Sequence, residues 1–470
     1  MTPSKAVTPE LEAPPPSPET WTPELVPPAR PERADVAPAE RGAVPEGPHD
    51  IECPEFWVAR PELAHLRDFA RSRRASPWAV LGCALVRVIA HVEPFVVLPP
   101  FIGGDASLNL FLGLVGPSGG GKGAAESAAR DALGFDTSLT EAGVGSGEGI
   151  AHTYQRYVPG KRGENGTIEQ HTSRALFRAP EVDTLAALKG RQGSTLLPKL
   201  RDAWLGDSLG FAYADLTRRL DLRAHTYRMC LIVGIQPARA GVLLEDADGG
   251  TPQRFLWLPT RDPNVPAVRP PTPDRLRWKH PGLGAVDPWT NRYRLPVCSA
   301  AADAIDKAAI DRHHGKVEAL DGHALMSRLK TAAALAFLNG RPEVTDDDWS
   351  LSGTVLAVSD ATRTGIIRSL TDHARAQTAA RGRAEGERAV VAEQVRSDAA
   401  AQRVSRGILR KLSAAAWTPR NDLRRLLASR DRDHFDDALD RLTTAGLIEV
   451  ALTEHNGSQG TQYRLAKGTS

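Results

Sequence analysis

Apolar positions recur at helical spacing at Leu63, Leu66 and Phe69, and again at Val80, Leu81, Ala84 and Leu85. That pattern predicts two amphipathic helices split at ASPW, residues 75–78. Three shorter apolar runs, SLNLFLGLVG, RALFRA and RMCLIVGIQP, each stop at polar or turn residues. Runs of that length predict buried parallel strands of an α/β sheet. A Pro-rich connector, RDPNVPAVRPPTPDRLRWKHPG, precedes a helical pattern from Ala300 to about Ala380 and a polar helical spacer, RGRAEGERAVVAEQVRSDAAAQ. The last stretch predicts three helices: VSRGILRKLSAA, TPRNDLRRLLAS with Thr418 as N-cap and Pro419 at the first helical position, and DRDHFDDALDRLTTAG. Two alternating strands around Asn456-Gly457 follow, so the order is that of a winged helix.

Composition changes this picture at the amino terminus. Residues 1–50 hold 13 prolines and nine acidic against four basic residues, too few large apolar side chains to offset ordering entropy, so a disordered tail is expected there. The expected divisions are the tail 1–50, an α/β core with its leading helices 51–299, a helical lid 300–380, a spacer 381–402 and a winged helix 403–470. The net charge of +2 creates no global field, so a nucleic-acid contact has to come from a local patch. Cys53, Cys83, Cys230 and Cys298 form no C-x-x-C pair, which suggests neither a zinc site nor a disulfide framework. The most apolar segment, Ala79 to Val97, is interrupted by Arg87, His91 and Glu93, so a cytoplasmic protein without a membrane partner is expected.

One stretch carries chemistry. Only 11 of the 59 basic residues are lysines, and one of them, Lys122, closes a glycine-dense turn between an apolar run and a helical pattern. Gly116, Gly121 and Lys122 fit the first seven positions of G-x-x-x-x-G-K-[ST]. In that motif the turn Gly116, Pro117, Ser118, Gly119, Gly120, Gly121, Lys122, Gly123 and Ala124 curls round one concavity into which backbone N–H groups point, Pro117 contributing none, and the helix start adds positive potential for phosphates. Lysine supplies a point charge. The eighth position is Gly123, so the hydroxyl that coordinates Mg²⁺ is missing, and ATP binding is better supported than ATP turnover.

Partners for this turn are expected at neighbouring strand ends. Glu181 and Asp183 follow the run RALFRA, where a water-activating and a Mg²⁺-holding carboxylate belong, although a solvated acidic turn has the same composition. Gln236 ends RMCLIVGIQ and is placed to sense a terminal phosphate, or is an ordinary strand-end glutamine. Arg254 follows a flexible turn and could act as a finger in a neighbouring subunit's site, or lie on a plain surface. His313, His314 and His323 lack the spacing of a metal site.

The blocks FARSRRASPWAVLG, SLNLFLGLVGPSGGGKGAAE, YRMCLIVGIQPARA, TPQRFLWLP and DGHALMSRLKTAAALAFLNGRPEVTDDDW resemble the P-loop ATPases of actinobacterial phages and integrated mobile elements. These are similar to the ATPase half of primase-helicase proteins, and the resemblance spans roughly Phe56 to Leu370. It implies an α/β P-loop NTPase core of RecA or AAA type with a mostly parallel sheet and a helical lid, used in replication as a homo-oligomeric ring. A second likeness, to the lid of AAA-type helicases, implies that Arg328 faces the nucleotide. The residues alone allow a simpler view, in which Leu325, Leu329, Ala332, Ala333 and Ala336 form a core stripe that Arg328 flanks.

Residues 403–470 carry 12 basic and 8 acidic residues, a net of +4, which favours contact with DNA phosphates. The third helix exposes Asp433, Asp436, Asp437 and Asp440, which repel phosphates, so contacts are expected instead through Arg420, Arg424, Arg425, Arg441 and the turn at Asn456. A protein-binding winged helix is the alternative. The expected function is an ATP- and Mg²⁺-dependent DNA-replication protein, a helicase-like motor or a loader working with replication proteins on single- or double-stranded DNA. The runner-up is a transcriptional regulator that binds ATP without rapid turnover.

Overall fold

The computed structural model describes residues 53–161, 166–190, 194–210, 220–316, 321–455 and 458–467. The tail expected over 1–50 and the turn at Asn456 lie outside the described residues.

Five parallel strands form the central sheet: β1 (Phe111–Val115), β2 (Thr140–Gly143), β3 (Arg174–Ala179), β4 (Arg228–Ile235) and β5 (Phe255–Pro259), in the order β5-β1-β4-β3-β2. β1 sits between β4 and β5, with Phe111 aligned to Leu231 on one side and to Phe255 on the other. Period-two alternation splits each strand between two cores. Leu112, Leu114, Cys230, Ile232, Leu256 and Leu258 enter one, while Phe111, Met229, Leu231, Val233, Phe255 and Trp257 enter the other. Burial on both faces explains why β1, β3 and β4 read as continuous apolar runs. β2 was not foreseen, because its sequence TEAG is largely exposed at a sheet edge.

Helices α1 (Pro54–Val58), α2 (Pro61–Ser72) and α3 (Pro77–His91) precede the sheet. α2 is amphipathic, but α3 is not: all 15 of its residues are buried, the mark of a helix enclosed on every side. Its polar groups are partnered in part, with Arg87 Nε buried and left without a hydrogen-bond partner. Arg87 donates to Glu141 at 2.9 Å, and His91, pushed below its ordinary pKa by burial, stacks 3.9 Å from Phe135.

α5 (Ser299–His313), α6 (Asp321–Leu338) and α7 (Asp346–Leu409) follow the connector. The start of α7 is set by a capping box between Thr345 and Asp348, whose carboxylate also receives Arg341 at 2.8 Å and Arg60 at 2.7 Å. α7 then runs for 64 residues without a break, crossing the boundary expected near residue 380. Residues 371–396 are exposed on all sides, a span of roughly 40 Å at the helical rise. Its last turns join a separate apolar cluster with α8 (Arg420–Arg425) and α9 (Phe435–Thr444), built on Val404, Ile408, Leu423, Phe435 and Leu439. An antiparallel sheet, β6 (Thr418–Pro419), β7 (Ile448–His455) and β8 (Ser458–Leu465), closes it in the order β6-β8-β7. Thr418 is therefore not a helix cap: it pairs with Tyr463, and Pro419 takes the N-cap place. Among the described residues no helix is long and apolar enough to cross a membrane.

Two cations are buried near the start of β4, Lys330 on the sheet side of α6 and Arg228 among the segments that precede β1. Lys330 of α6 donates to the carbonyl oxygens of Asn109 (3.1 Å) and Trp204 and lies 3.5 Å from the Trp204 ring centroid. Arg228 of β4 donates to Ser107, Asn109, Glu93 O and Val96 O. Among the described residues no carboxylate pairs with either, and burial pushes Lys330 well below its ordinary pKa and Arg228 down to about 10. The linkage has a definite sign. Below the ordinary lysine value of 10.5 the unfolded chain holds the Lys330 proton more tightly than the native chain does. Stability from this group therefore rises with pH up to that value. We expect the urea midpoint of the native protein to climb with pH more steeply than that of Lys330→Met; equal slopes would show that Lys330 is not depressed.

Candidate functional site

The carboxyl ends of β1, β4 and β3 lie side by side where the strand order turns back, the place at which open α/β sheets form a crevice. The turn after β1 fills it. Gly119 (φ +71°) and Gly121 (φ +86°) adopt left-handed backbone that other residues rarely hold, and α4 (Lys122–Ala132) begins directly after them. No side chain caps α4, so the N–H groups of its first turn keep their capacity for an outside acceptor. Together the left-handed glycines and the open helix start form a concavity of donors suited to an anion.

Lys122 spans this turn. Its Nζ donates to the carbonyl oxygens of Gly116 (3.0 Å) and Pro117 (2.8 Å). Burial, the larger influence, lowers its pKa, while the nearby Glu181 carboxylate opposes the shift. Pro117, Ser118 and Gly119 are exposed, as are Gly123 and Ala124 on the first turn of α4; Gly120 and Gly121 are half-buried. Gly116 is held from below. Its N–H donates to Ile235 O at 3.0 Å, and a Cβ there would lie 2.0 Å from Thr260 Oγ1. Thr260, directly after β5, donates its own N–H to Val115 O at 2.9 Å. It went unnoticed in the sequence, although a polar residue ending an apolar run is a readable signal.

The segment after β3 crosses the end of β4. Val182 N–H donates to Gly234 O at 2.8 Å, and a Cβ at Gly234 would meet Pro180 O at 2.0 Å. This crossing brings the exposed Glu181 beside Lys122. Asp183 is different: its carboxylate is paired with the exposed Arg239, a partner that a metal would have to displace. Gln236 follows β4 immediately and is half-buried at the same edge of the sheet. A further link joins the elements. Glu126 of α4, 5% exposed, accepts from Arg178 Nε of β3 at 2.6 Å, which ties the helix behind the turn to the carboxylate-bearing segment.

Two expected arginines lie elsewhere. Arg254 is buried, donates to Gly249 O at 2.9 Å and sits 5.5 Å from the Trp204 ring, so it is not presented to a neighbouring subunit. His323, held near pKa 4 by burial and by Arg254, lies 3.2 Å from it. Arg328 turns onto α7, 3.8 Å from the Trp349 ring, with Nη2 donating to Trp349 O at 2.9 Å. It flanks the lid core rather than facing the turn.

In the C-terminal cluster, Arg420 is bound to Asp436, Arg441 to Asp398 of α7, and Arg425 lies 3.7 Å from Asp422. Arg424 is exposed. Among the described residues, no group of three or more His, Cys, Asp or Glu side chains is arranged to hold a metal. No family model matches the chain, and no curated protein matches its sequence.

The contact at Gly116 yields a two-part test. Gly116→Ala should destabilise the protein by about 1–3 kcal/mol through overpacking against Thr260. Thr260→Ala removes the clashing hydroxyl, so the double variant should recover part of that loss in urea denaturation. Strict additivity would place the strain elsewhere.

Proposed function

We propose that this chain is an ATP-binding P-loop protein with a RecA- or AAA-like core and a C-terminal winged helix, acting in DNA replication of a phage or mobile element as a motor or loader. The observation that carries the reading is Lys122, whose ammonium bridges the turn Gly116–Gly121 at the open start of α4, beside Glu181. In this reading the donors of Ser118 to Ala124 cradle phosphate oxygens, and Lys122 leaves the Gly116 and Pro117 carbonyls to meet them. Glu181 is the water-activating base, and Gln236 lies where a terminal phosphate could be sensed.

The residues fit Mg²⁺ only in part. This ion is commonly held by one or two carboxylates, substrate phosphates and water. Glu181 is available, Asp183 is engaged by Arg239, and Gly123 offers no oxygen beyond its backbone. Mg²⁺, when bound, would neutralise phosphate charge. That donor poverty favours a second reading, a nucleotide-switched regulator with slow turnover.

α7 gives either reading a physical link. One helix carries the packing of Trp349 and Val355 in the core and of Val404 and Ile408 in the C-terminal cluster. DNA contact is proposed through exposed Arg424, with Arg420, Arg425 and Arg441 available because exposed ion pairs are weak. Assembly as a ring would need a trans contact other than Arg254.

Lys122→Ala should weaken ATP binding on the order of 100-fold in calorimetry, through loss of a charged contact, without altering the unfolding midpoint. Equal affinity would overturn the P-loop reading. Gly123 faces open space, since a Cβ there meets nothing within 4 Å. Gly123→Ser should therefore fit and raise the Mg²⁺-dependent ATPase rate on the order of tenfold. A replication motor should also hydrolyse ATP faster with single-stranded DNA and assemble with ATP. A rate indifferent to DNA, with duplex preference residing in residues 403–470, would favour the regulator.

A further inference from the structure

A cavity of about 140 Å³ lies between the leading helices and the segment after β5. Its apolar wall is Trp57 of α1 and Trp78 of α3, whose rings lie 4.7 Å apart and are tilted by 54°. Its polar wall is Arg71 of α2, Asp262 and Asn264. Arg71 Nε donates to Asp262 Oδ2 at 3.0 Å, and the N–H of Asn264 donates to Asp262 Oδ1 at 3.1 Å, so the polar wall is preorganised. A cavity of about 150 Å³ is enough for one aromatic ring. Flat indole surfaces opposite a planar guanidinium suit stacking with a heteroaromatic ring whose edge needs both donors and acceptors.

Position relates this cavity to the turn. Thr260 touches Gly116 from below, and the chain runs from it through Arg261 directly into the polar wall. Ser76, two residues before Trp78, donates to Pro259 O at 2.7 Å, which fixes the indole wall to the end of β5. On the other side Arg73 lies 3.6 Å from Asp131 and so joins α2 to α4. The segment after β5 thus lies under the turn at Thr260 and lines the cavity from Arg261 to Asn264.

We propose that this cavity receives the nucleobase of the nucleotide whose phosphates lie on Gly116–Gly121. The proposal rests on the phosphate reading given above and adds that the site selects a nucleoside over bare phosphates. The base stacks on one indole of the Trp57–Trp78 pair and packs at an angle against the other, and its edge meets Arg71, Asp262 and Asn264.

The test compares ATP with inorganic tripolyphosphate by calorimetry on the full chain. Native protein should bind ATP on the order of tenfold more tightly, the scale of one stacked base. Asn264→Trp, at an exposed rim position, should fill the cavity and cut ATP affinity to the tripolyphosphate level while leaving tripolyphosphate unchanged. Trp57→Leu, checked for folding by its unfolding transition, should do the same. Lys122→Ala should weaken both ligands. If Asn264→Trp and a folded Trp57→Leu keep the full ATP advantage, the base pocket is wrong and the phosphate reading stands. If neither ligand responds to Lys122→Ala, the phosphate reading fails and the pocket proposal with it. If the pocket variants spare ATP but weaken a single-stranded oligonucleotide, the cavity takes a base of the strand, which also overturns the proposal.

Discussion

The absence of a side chain at Gly116 and Gly234 sets how closely three strand ends approach one another. A Cβ at either position would lie 2.0 Å from an oxygen, that of the Thr260 hydroxyl or of the Pro180 carbonyl. Interiors pack at crystal density, so a Cβ would have to displace the Thr260 side chain at Gly116 and the Pro180 backbone at Gly234. Because both positions are glycine, the segment after β3 crosses the end of β4 and brings Glu181 beside Lys122. The segment after β5 likewise closes under the turn. The donors of the turn, the lysine, the acidic segment and the tryptophan-lined cavity all inherit their placement from these two close approaches.

Away from that edge, positive charge is buried on the sheet side of α6 and among the segments before β1. Lys330 and Arg228 are wholly buried and satisfied by carbonyl, amide and hydroxyl oxygens rather than carboxylates. Each such bond is directional, and an unpaired partner in the interior is costly, so the arrangement tolerates little sliding of α6 over the sheet. α7 extends the same rigidity outward. It begins at a capping box clamped by Arg60 and Arg341, continues through solvent, and ends inside the C-terminal cluster. One continuous helix thus packs in both the core and that cluster.

The sequence by itself marked three of the buried strands, β1, β3 and β4, though not β5, and the turn between β1 and α4. Segments enclosed on both faces are mostly apolar, and glycine is favoured where the backbone is left-handed, so both leave a local trace. It also marked where Glu181, Asp183 and Gln236 leave their strands. Edge strand β2 left no such trace, because TEAG faces solvent and hydrogen-bonds through backbone common to all residues. What only the tertiary structure decided is pairing across distance. Arg239 claims Asp183, Trp204 and His323 enclose Arg254, and Trp349 takes Arg328; none of these partners is signalled by local spacing. The same reason hid the cavity: Trp57, Trp78, Arg71 and Asp262 come from separate segments, and only the packing of those segments against the end of β5 makes them one surface.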